Sequence, residues 1–460
     1  MLRLSIACVV VAVGLAQGPR QISLVVTGGT VVTMNAARQV LSPGAVAIET
    51  GAIVAVGAPD AIAAAYRGAE TIDAAGAVVM PGLINTHTHA PMVLYRGLAD
   101  DLALMEWLQK YIFPAEAKTV SAAFVRTGTR LAALEMIQSG TTLFTDMYYF
   151  EEEIARATKE AGLRGVLGQS VIGFPVADAK TPADALARTE KFFQEFAGDE
   201  LIIPAVAPHS MYTLDAKSLT AARALADKYG RPTLIHLSET RDEVDISRKK
   251  HNLQPAAYLD SIKFWGPRVL AAHGVWLTPP EIATLKKHGV GVSHNPESNM
   301  KLASGTAPVP QMRAAGVPVG LGTDGAASNN DLDMFEAMRV AALLHKLQSN
   351  DPRAIPAPVA LEMATIGGAR ALGLGDRLGS LEAGKRADLI VVSMSSARQT
   401  PMYDPISHLV YATRGDDVRT TIVNGRVLMR DRKVLTLDEA AVLADARRAA
   451  AEVRAAVKPQ

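Results

Sequence analysis

His87 and His89 stand two residues apart in the apolar stretch that begins at Gly82. On a β-strand that spacing puts both imidazoles on one face, within reach of a single metal ion. His236 ends a second apolar run and Asp324 ends a third. Three neutral imidazole nitrogens and one carboxylate oxygen, with space left for water, match a catalytic Zn²⁺ site, and the same ligand types also suit Fe²⁺ or Mn²⁺. A cation held this way makes water a nucleophile at neutral pH, and such a reaction needs proton carriers. Glu239, three residues after His236, can face a substrate without being a ligand, take a proton from water and pass it on. His273 can hydrogen-bond to the attacking oxygen or steady a developing oxyanion. Asp324 can combine ligation with accepting a proton.

These residues need a scaffold that brings distant segments to one place. Between residues 80 and 379, short β-type runs alternate with longer segments of helical period, the pattern of parallel βα units. Eight such runs begin at Gly82, Thr141, Gly165, Ile202, Pro232, Val269, Gly289 and Pro318. Eight units predict an α/β fold of the (β/α)8 TIM-barrel type, whose active site lies at the C-terminal ends of the strands. His87, His89, His209, His236, Glu239, His273, His294 and Asp324 all fall at those ends. Any one histidine there could be an ordinary hydrogen-bonded core residue, but six strands ending this way argue for a site. Short β-branched stretches from Ile22 to Val79 predict strands of an antiparallel sheet, and similar stretches near residues 387–435 are expected to fold with them.

The 460 residues are 49% hydrophobic and 20% charged, which excludes a disordered or collagenous chain. A balance of 47 basic and 46 acidic side chains, without a Lys/Arg block, gives no field to attract nucleic acid or anionic lipid, so a small-molecule substrate is expected. Residues 1–16 have the form of a secretory signal peptide: Arg3 precedes an apolar run from Leu4 to Leu15, and Gly14-Leu15-Ala16 suits cleavage after Ala16. Periplasmic or secreted location is therefore expected, with cytoplasmic the alternative. The run is shorter than the ~20 residues of a bilayer span, so no stable membrane anchor is expected. Cys8, the sole cysteine, would leave with the signal peptide, and the mature chain would form no disulfide. The segment from Tyr148 to Phe150 and an amphipathic helix from Asp438 to Val457 could serve a homo-oligomer interface or the monomer core.

A wider set of motifs resembles the amidohydrolase superfamily, and within it the 5-methylthioadenosine/S-adenosylhomocysteine deaminases and their chlorohydrolase relatives. The resemblance rests on "PGLINTHTHAPMVLYRGLADDLALMEWLQKYIFPAEAK" from Pro81, "APHSMYT" from Ala207, "IHLSET" from Ile235, "AAHGVWL" from Ala271, "SHNPESNMKLASGTAPV" from Ser293, "LGTDGAASNNDLDMFEAMR" from Leu321 and "GSLEAGKRADLIVV" from Gly379. It implies a mononuclear metal on His87, His89, His236 and Asp324, with Glu239 and His273 at the catalytic positions. It also implies Glu116 and His209 near a nucleoside sugar, with Ser328 nearby. The run "IIPAVAPH" ends without the lysine that, carboxylated, bridges two metals in related hydrolases. The resemblance further implies a small β-sandwich from the terminal segments, giving units of 1–16 (signal peptide), 17–79 with 380–435 (sandwich), 80–379 (barrel) and 436–460 (helix).

A carboxylate at Glu116 can accept from both hydroxyls of a ribose, which favours an adenine nucleoside as substrate; the other reading is a charge on a helix surface. Trp107 could stack on a base or sit in the core. The resemblance departs at two points. Between Gly173 and Arg188 only Lys180 and Arg188 stand where the family carries arginines that hold a substrate tail, and a signal peptide is unusual for these deaminases. The expected activity is hydrolytic deamination of an adenine nucleoside. Deamination or dechlorination of another aminated heterocycle (guanine, a pterin or a triazine), or a non-catalytic barrel, are the alternatives.

Overall fold

The computed structural model describes residues 18–457. The signal peptide expected at residues 1–16, Cys8 included, lies outside the described residues. Among those described, no helix is long and apolar enough to cross a membrane.

All eight runs form strands, in chain order β1 (Leu83–Thr88), β2 (Thr141–Tyr148), β3 (Arg164–Val171), β4 (Ile202–Pro208), β5 (Thr233–Leu237), β6 (Val269–His273), β7 (Gly291–His294) and β8 (Val319–Leu321). Each pairs in parallel with the next, in one eight-stranded sheet. Nearly every residue in them is buried, as expected when a sheet is covered on both faces. First and last strands meet through Thr86, whose hydroxyl donates to the Leu321 carbonyl at 2.8 Å, and through the Asp324 N–H, which donates to the His87 carbonyl at 3.0 Å. The barrel is thus nearly closed, and what closes it stands beside the expected site.

The connection from β1 to β2 carries the helices α1 (Phe113–Thr119) and α2 (Ala122–Ser139). Pro114 follows a wide helical turn, Leu108–Ile112, that leads directly into α1. The Ser121 hydroxyl accepts from the Phe124 N–H to start α2, and Gly140, at φ 87°, ends it and leads directly into β2. After β5 comes α3 (Arg241–His251), and after β7 the short α4 (Pro296–Lys301). At the far end α5 (Glu439–Ala456) buries Val442, Ala446 and Val453, and Asp445 pairs with Arg130 of α2 at 3.2 Å.

The terminal segments build two sheets. One orders Ala52–Gly57, Ala45–Glu49, Arg20–Thr27 and Tyr66–Asp73; the other orders Lys433–Val434, Arg426–Arg430, Val418–Val423, Leu389–Ser393, Ala77–Pro81, Thr30–Val32 and Val40–Leu41. Leu24, Val46 and Ile48 of the first share an apolar core with Val79, Leu389 and Ile422 of the second. The expectation of antiparallel pairing needs correction. Arg20–Thr27 runs parallel to Tyr66–Asp73, and Thr30–Val32 parallel to Ala77–Pro81. Each of those pairs is joined by a long crossover rather than a tight hairpin, so the chain can return in the same direction. Ala77–Pro81 also runs past residue 79, and Gly82 alone separates it from β1. A Cβ at Gly82 would stand 2.1 Å from the Thr142 side chain, so only glycine fits this junction.

Candidate metal and active site

His87 lies on β1 and His89 one residue past its end; His236 lies on β5, His273 ends β6, and Asp324 comes three residues after β8. The barrel brings all five to one spot. His87 Nε2 and His89 Nε2 each stand 3.4 Å from Asp324 Oδ1, and His236 Nε2 stands 3.4 Å from His89 Nε2. Nitrogens of His87, His89 and His236 lie within 4.8 Å of one another, as do atoms of His87, His273 and Asp324.

The far sides of two rings decide where their protons are. His89 Nδ1 lies 2.6 Å from the Met147 carbonyl, and His236 Nδ1 lies 2.9 Å from the His209 carbonyl. A carbonyl only accepts, so Nδ1 carries hydrogen in both and each Nε2 turns a lone pair inward. His87 Nε2 is buried with no hydrogen-bond partner. Burial pushes the three imidazoles below their ordinary range, His87 to about 4, and keeps them neutral. Burial alone would raise Asp324, but the facing imidazoles of His87, His273 and His89 hold its carboxyl well below the usual range. An orphaned buried nitrogen, two inward lone pairs and an ionised carboxylate make a donor set that fits one divalent cation.

Backbone geometry supports the same centre. His273 (φ 74°) and Asp324 (φ 65°) both occupy the left-handed region that side chains seldom adopt. The Gly325 N–H donates to Asp324 Oδ1 at 2.7 Å and the Ser298 hydroxyl to Oδ2 at 2.6 Å. His273 Nδ1 donates to Asn299 Oδ1 at 2.9 Å, which points Nε2 at Glu239 Oε2 and Asp324 Oδ2, each 3.9 Å away. Burial opposes charge on His273, yet Glu239 and Asp324 together raise it overall.

Glu239 sits two residues past β5, after Ser238 in a left-handed turn (φ 48°). The turn is fixed by Glu243 of α3, whose two carboxylate oxygens accept from the Ser238 and Glu239 N–H groups, each at 2.9 Å. Burial raises the Glu239 carboxyl, which suits a group that must both take and give a proton.

A cavity opens over these residues. Trp107, buried, lines it together with Met92, Leu104 and Leu108. Glu116 reaches it from α1 and is buried, which removes the reading of a helix-surface charge. Tyr148, the last residue of β2, donates to Glu116 Oε1 at 2.7 Å, and burial still pushes the carboxyl up to about 7. His209 lines the same cavity and meets Ser210 Oγ at 3.1 Å through Nδ1. Ser328 also lines it, but its hydroxyl donates to Asp324 Oδ2 at 3.1 Å, tying it to the acid. His294 is turned away, 3.1 Å from His345.

Four participants escaped the sequence reading: Tyr148, Glu243, Ser298 and Asn299. Thr240-x-x-Glu243 has capping-box form, and that signal could have flagged Glu243. Ser298 and Asn299 stand inside the "SHNPESNM" motif without a chemistry of their own to mark them.

Comparison with known proteins gives a consistent picture. The model of the family described as "Amidohydrolase family" matches residues 78–428. A 5-methylthioadenosine/S-adenosylhomocysteine deaminase of Syntrophobacter fumaroxidans is 48% identical over 421 residues, 92% of this chain and 96% of its own. A 5′-deoxyadenosine deaminase of Methanosarcina mazei is 46% identical over 437 residues, 94% of this chain and 99% of its own. The crystal structure of an adenosine deaminase from Xanthomonas campestris, with bound zinc, superposes with a TM-score of 0.93 at 40% identity, covering 95% of this chain and 100% of that one.

Proposed function

The chain belongs to the amidohydrolase family, and we propose that it deaminates an adenine nucleoside by hydrolysis, releasing ammonia and the inosine analogue. His87, His89, His236 and Asp324 would hold one divalent cation, with Zn²⁺ favoured by the imidazole-rich donor set. When bound, the cation supplies the positive charge that makes water a nucleophile at neutral pH. Glu239 takes one proton from the water and gives it to the ring nitrogen beside the reacting carbon. His273 faces the same space and hydrogen-bonds to the attacking oxygen, while Asp324 takes the second proton and passes it to the departing amine, which leaves as ammonia. Glu116 and His209 position the sugar, and the Trp107 side of the cavity receives the apolar part of the nucleoside.

The buried carboxylate of Glu116, reaching the catalytic cavity from outside the cation-binding cluster, carries the nucleoside reading. Its test is ammonia release from adenosine, methylthioadenosine, 2′,3′-dideoxyadenosine, guanine and an aminated triazine. The specificity constant should be at least ~10²-fold higher for the ribonucleosides than for the dideoxy compound, because a buried carboxylate left unpaired is costly. Equal rates for ribo and dideoxy substrates, or faster turnover of guanine or the triazine, would overturn this reading. Export is a separate proposal carried by residues 1–16 alone: protein made in a secreting host should begin near Gln17 by mass spectrometry, and an intact terminus on active intracellular protein would refute it.

A further inference from the structure

Backbone ladders join every pair of neighbouring barrel strands from β1–β2 to β7–β8, but among the described residues none joins β8 back to β1. That seam has a cation ligand on each side, His87 on β1 and Asp324 three residues past β8. Their facing atoms, Nε2 and Oδ1, stand 3.4 Å apart. The width of the seam is therefore part of the geometry of the site, and something other than a ladder must set it.

Asn85, fully buried and two residues before His87, stands in the seam. Its Oδ1 accepts from the Thr323 N–H at 3.1 Å and from the His87 N–H at 3.4 Å. Its Nδ2 donates to the Thr323 hydroxyl at 2.7 Å, and that hydroxyl donates in turn to the Asp324 carbonyl at 3.0 Å. One carboxamide thus spends its acceptor on the backbone of both ligand-bearing segments and a donor on the residue before Asp324, a combination that an ionised carboxylate, which only accepts, does not offer. Gly322 lets the segments come this close: a Cβ there would lie 2.8 Å from the His87 nitrogen and 2.6 Å from Asn295 Oδ1.

We propose that Asn85, acting through Thr323, is the positioning residue that holds His87 and Asp324 at cation-binding distance across the one seam the sheet leaves without a ladder, so that the ion enters a site already set. This rests on the cation site of the reading above, not on the identity of the nucleoside. Buried donors and acceptors that satisfy one another are costly to separate, and supporting bonds of this kind govern how well ligands are presented to a metal.

The experiment measures Zn²⁺ affinity, by competition with a chromophoric chelator, for the parent chain, Thr323→Val, Thr323→Ser and Asn85→Ala. Thr323→Val keeps the shape and removes the hydroxyl, and should weaken Zn²⁺ binding at least ~10-fold. Thr323→Ser, which restores the hydroxyl, should recover most of that loss, and Asn85→Ala should bind more weakly than either. Hydrogen exchange gives a second readout. The Thr323 and Asp324 amides should stay protected in the metal-free parent, exchange at least ~10-fold faster in metal-free Thr323→Val, and slow again when Zn²⁺ is added. A hydroxyl with a merely structural role would lower the urea midpoint and leave the Zn²⁺ affinity of the folded protein unchanged. Unchanged affinity in Thr323→Val, binding by Thr323→Ser as weak as by Thr323→Val, or protection lost in the parent on metal removal would each overturn the assignment, and the Thr323 pair decides it even if Asn85→Ala does not fold. A parent that binds Zn²⁺ but deaminates no nucleoside would overturn the nucleoside reading and leave this inference standing; a parent that binds none of Zn²⁺, Fe²⁺ and Mn²⁺ would overturn both.

Discussion

At the scale of single residues, the carbonyls of Met147 and His209 do as much for the site as the rings they orient, because they fix which nitrogen of His89 and His236 faces inward. Elemental analysis should find about one transition metal per chain, and His236→Ala should lose it. Glu239→Gln should keep the metal and lower turnover by at least ~10²-fold, the lower end of acid–base contributions. Glu116 adds a pH dependence. Its carboxyl, raised by burial to about 7, lies above the ordinary 4.5, so this group's contribution to stability is greatest below that ordinary value and is lost as pH rises through about 7. Two ribose hydroxyls need the ionised form as acceptor. The preference for adenosine over its dideoxy analogue should therefore grow as pH rises through about 7 and flatten in Glu116→Gln. The histidines, Glu239 and Asp324 were legible because each sits at the end of an apolar run. Tyr148 was not, since an aromatic residue closing a strand reads equally well as core until Glu116 is seen beside it.

At the scale of elements, the site depends on the helices that come after the strands. Helix α3 reaches back through Glu243 to fix the turn bearing Glu239, and α4 supplies Ser298 to Asp324 and Asn299 to His273. Asn299→Ala would leave His273 Nδ1 without its acceptor and free the ring to turn. We expect metal content unchanged and turnover lowered ~10-fold or more, a loss that Asn299→Asp, which restores an acceptor oxygen, should partly recover. Periodicity revealed all eight barrel strands, because buried parallel strands read as uninterrupted apolar runs. The pairing directions of the terminal strands were hidden. A short β-branched stretch has the same text whether its neighbour runs with or against it, and only the crossover length decides.

At the scale of the whole molecule, barrel and terminal sheets are locked by Arg164 on β3, whose Nε and Nη2 donate to the two oxygens of Asp388 at 2.9 and 3.1 Å, both side chains being buried. Asp388 also accepts from the Asn424 N–H at 2.7 Å, next to the strand Val418–Val423. Arg164→Met would leave that carboxylate buried without its partner charge, a loss of about 3–5 kcal/mol that a lowered urea midpoint would report. The strand order of the larger sheet has a consequence for synthesis. Ala77–Pro81 lies between Thr30–Val32, made earlier in the N-terminal segment, and Leu389–Ser393, made only after the entire barrel. Until the C-terminal segment leaves the ribosome, one edge of Val78, Val79 and Met80 stays unpaired, an adhesive border on an otherwise finished barrel. Nascent chains arrested before Leu389 should therefore be the form that aggregates, and release of the last strands the event that makes the protein safe to its neighbours.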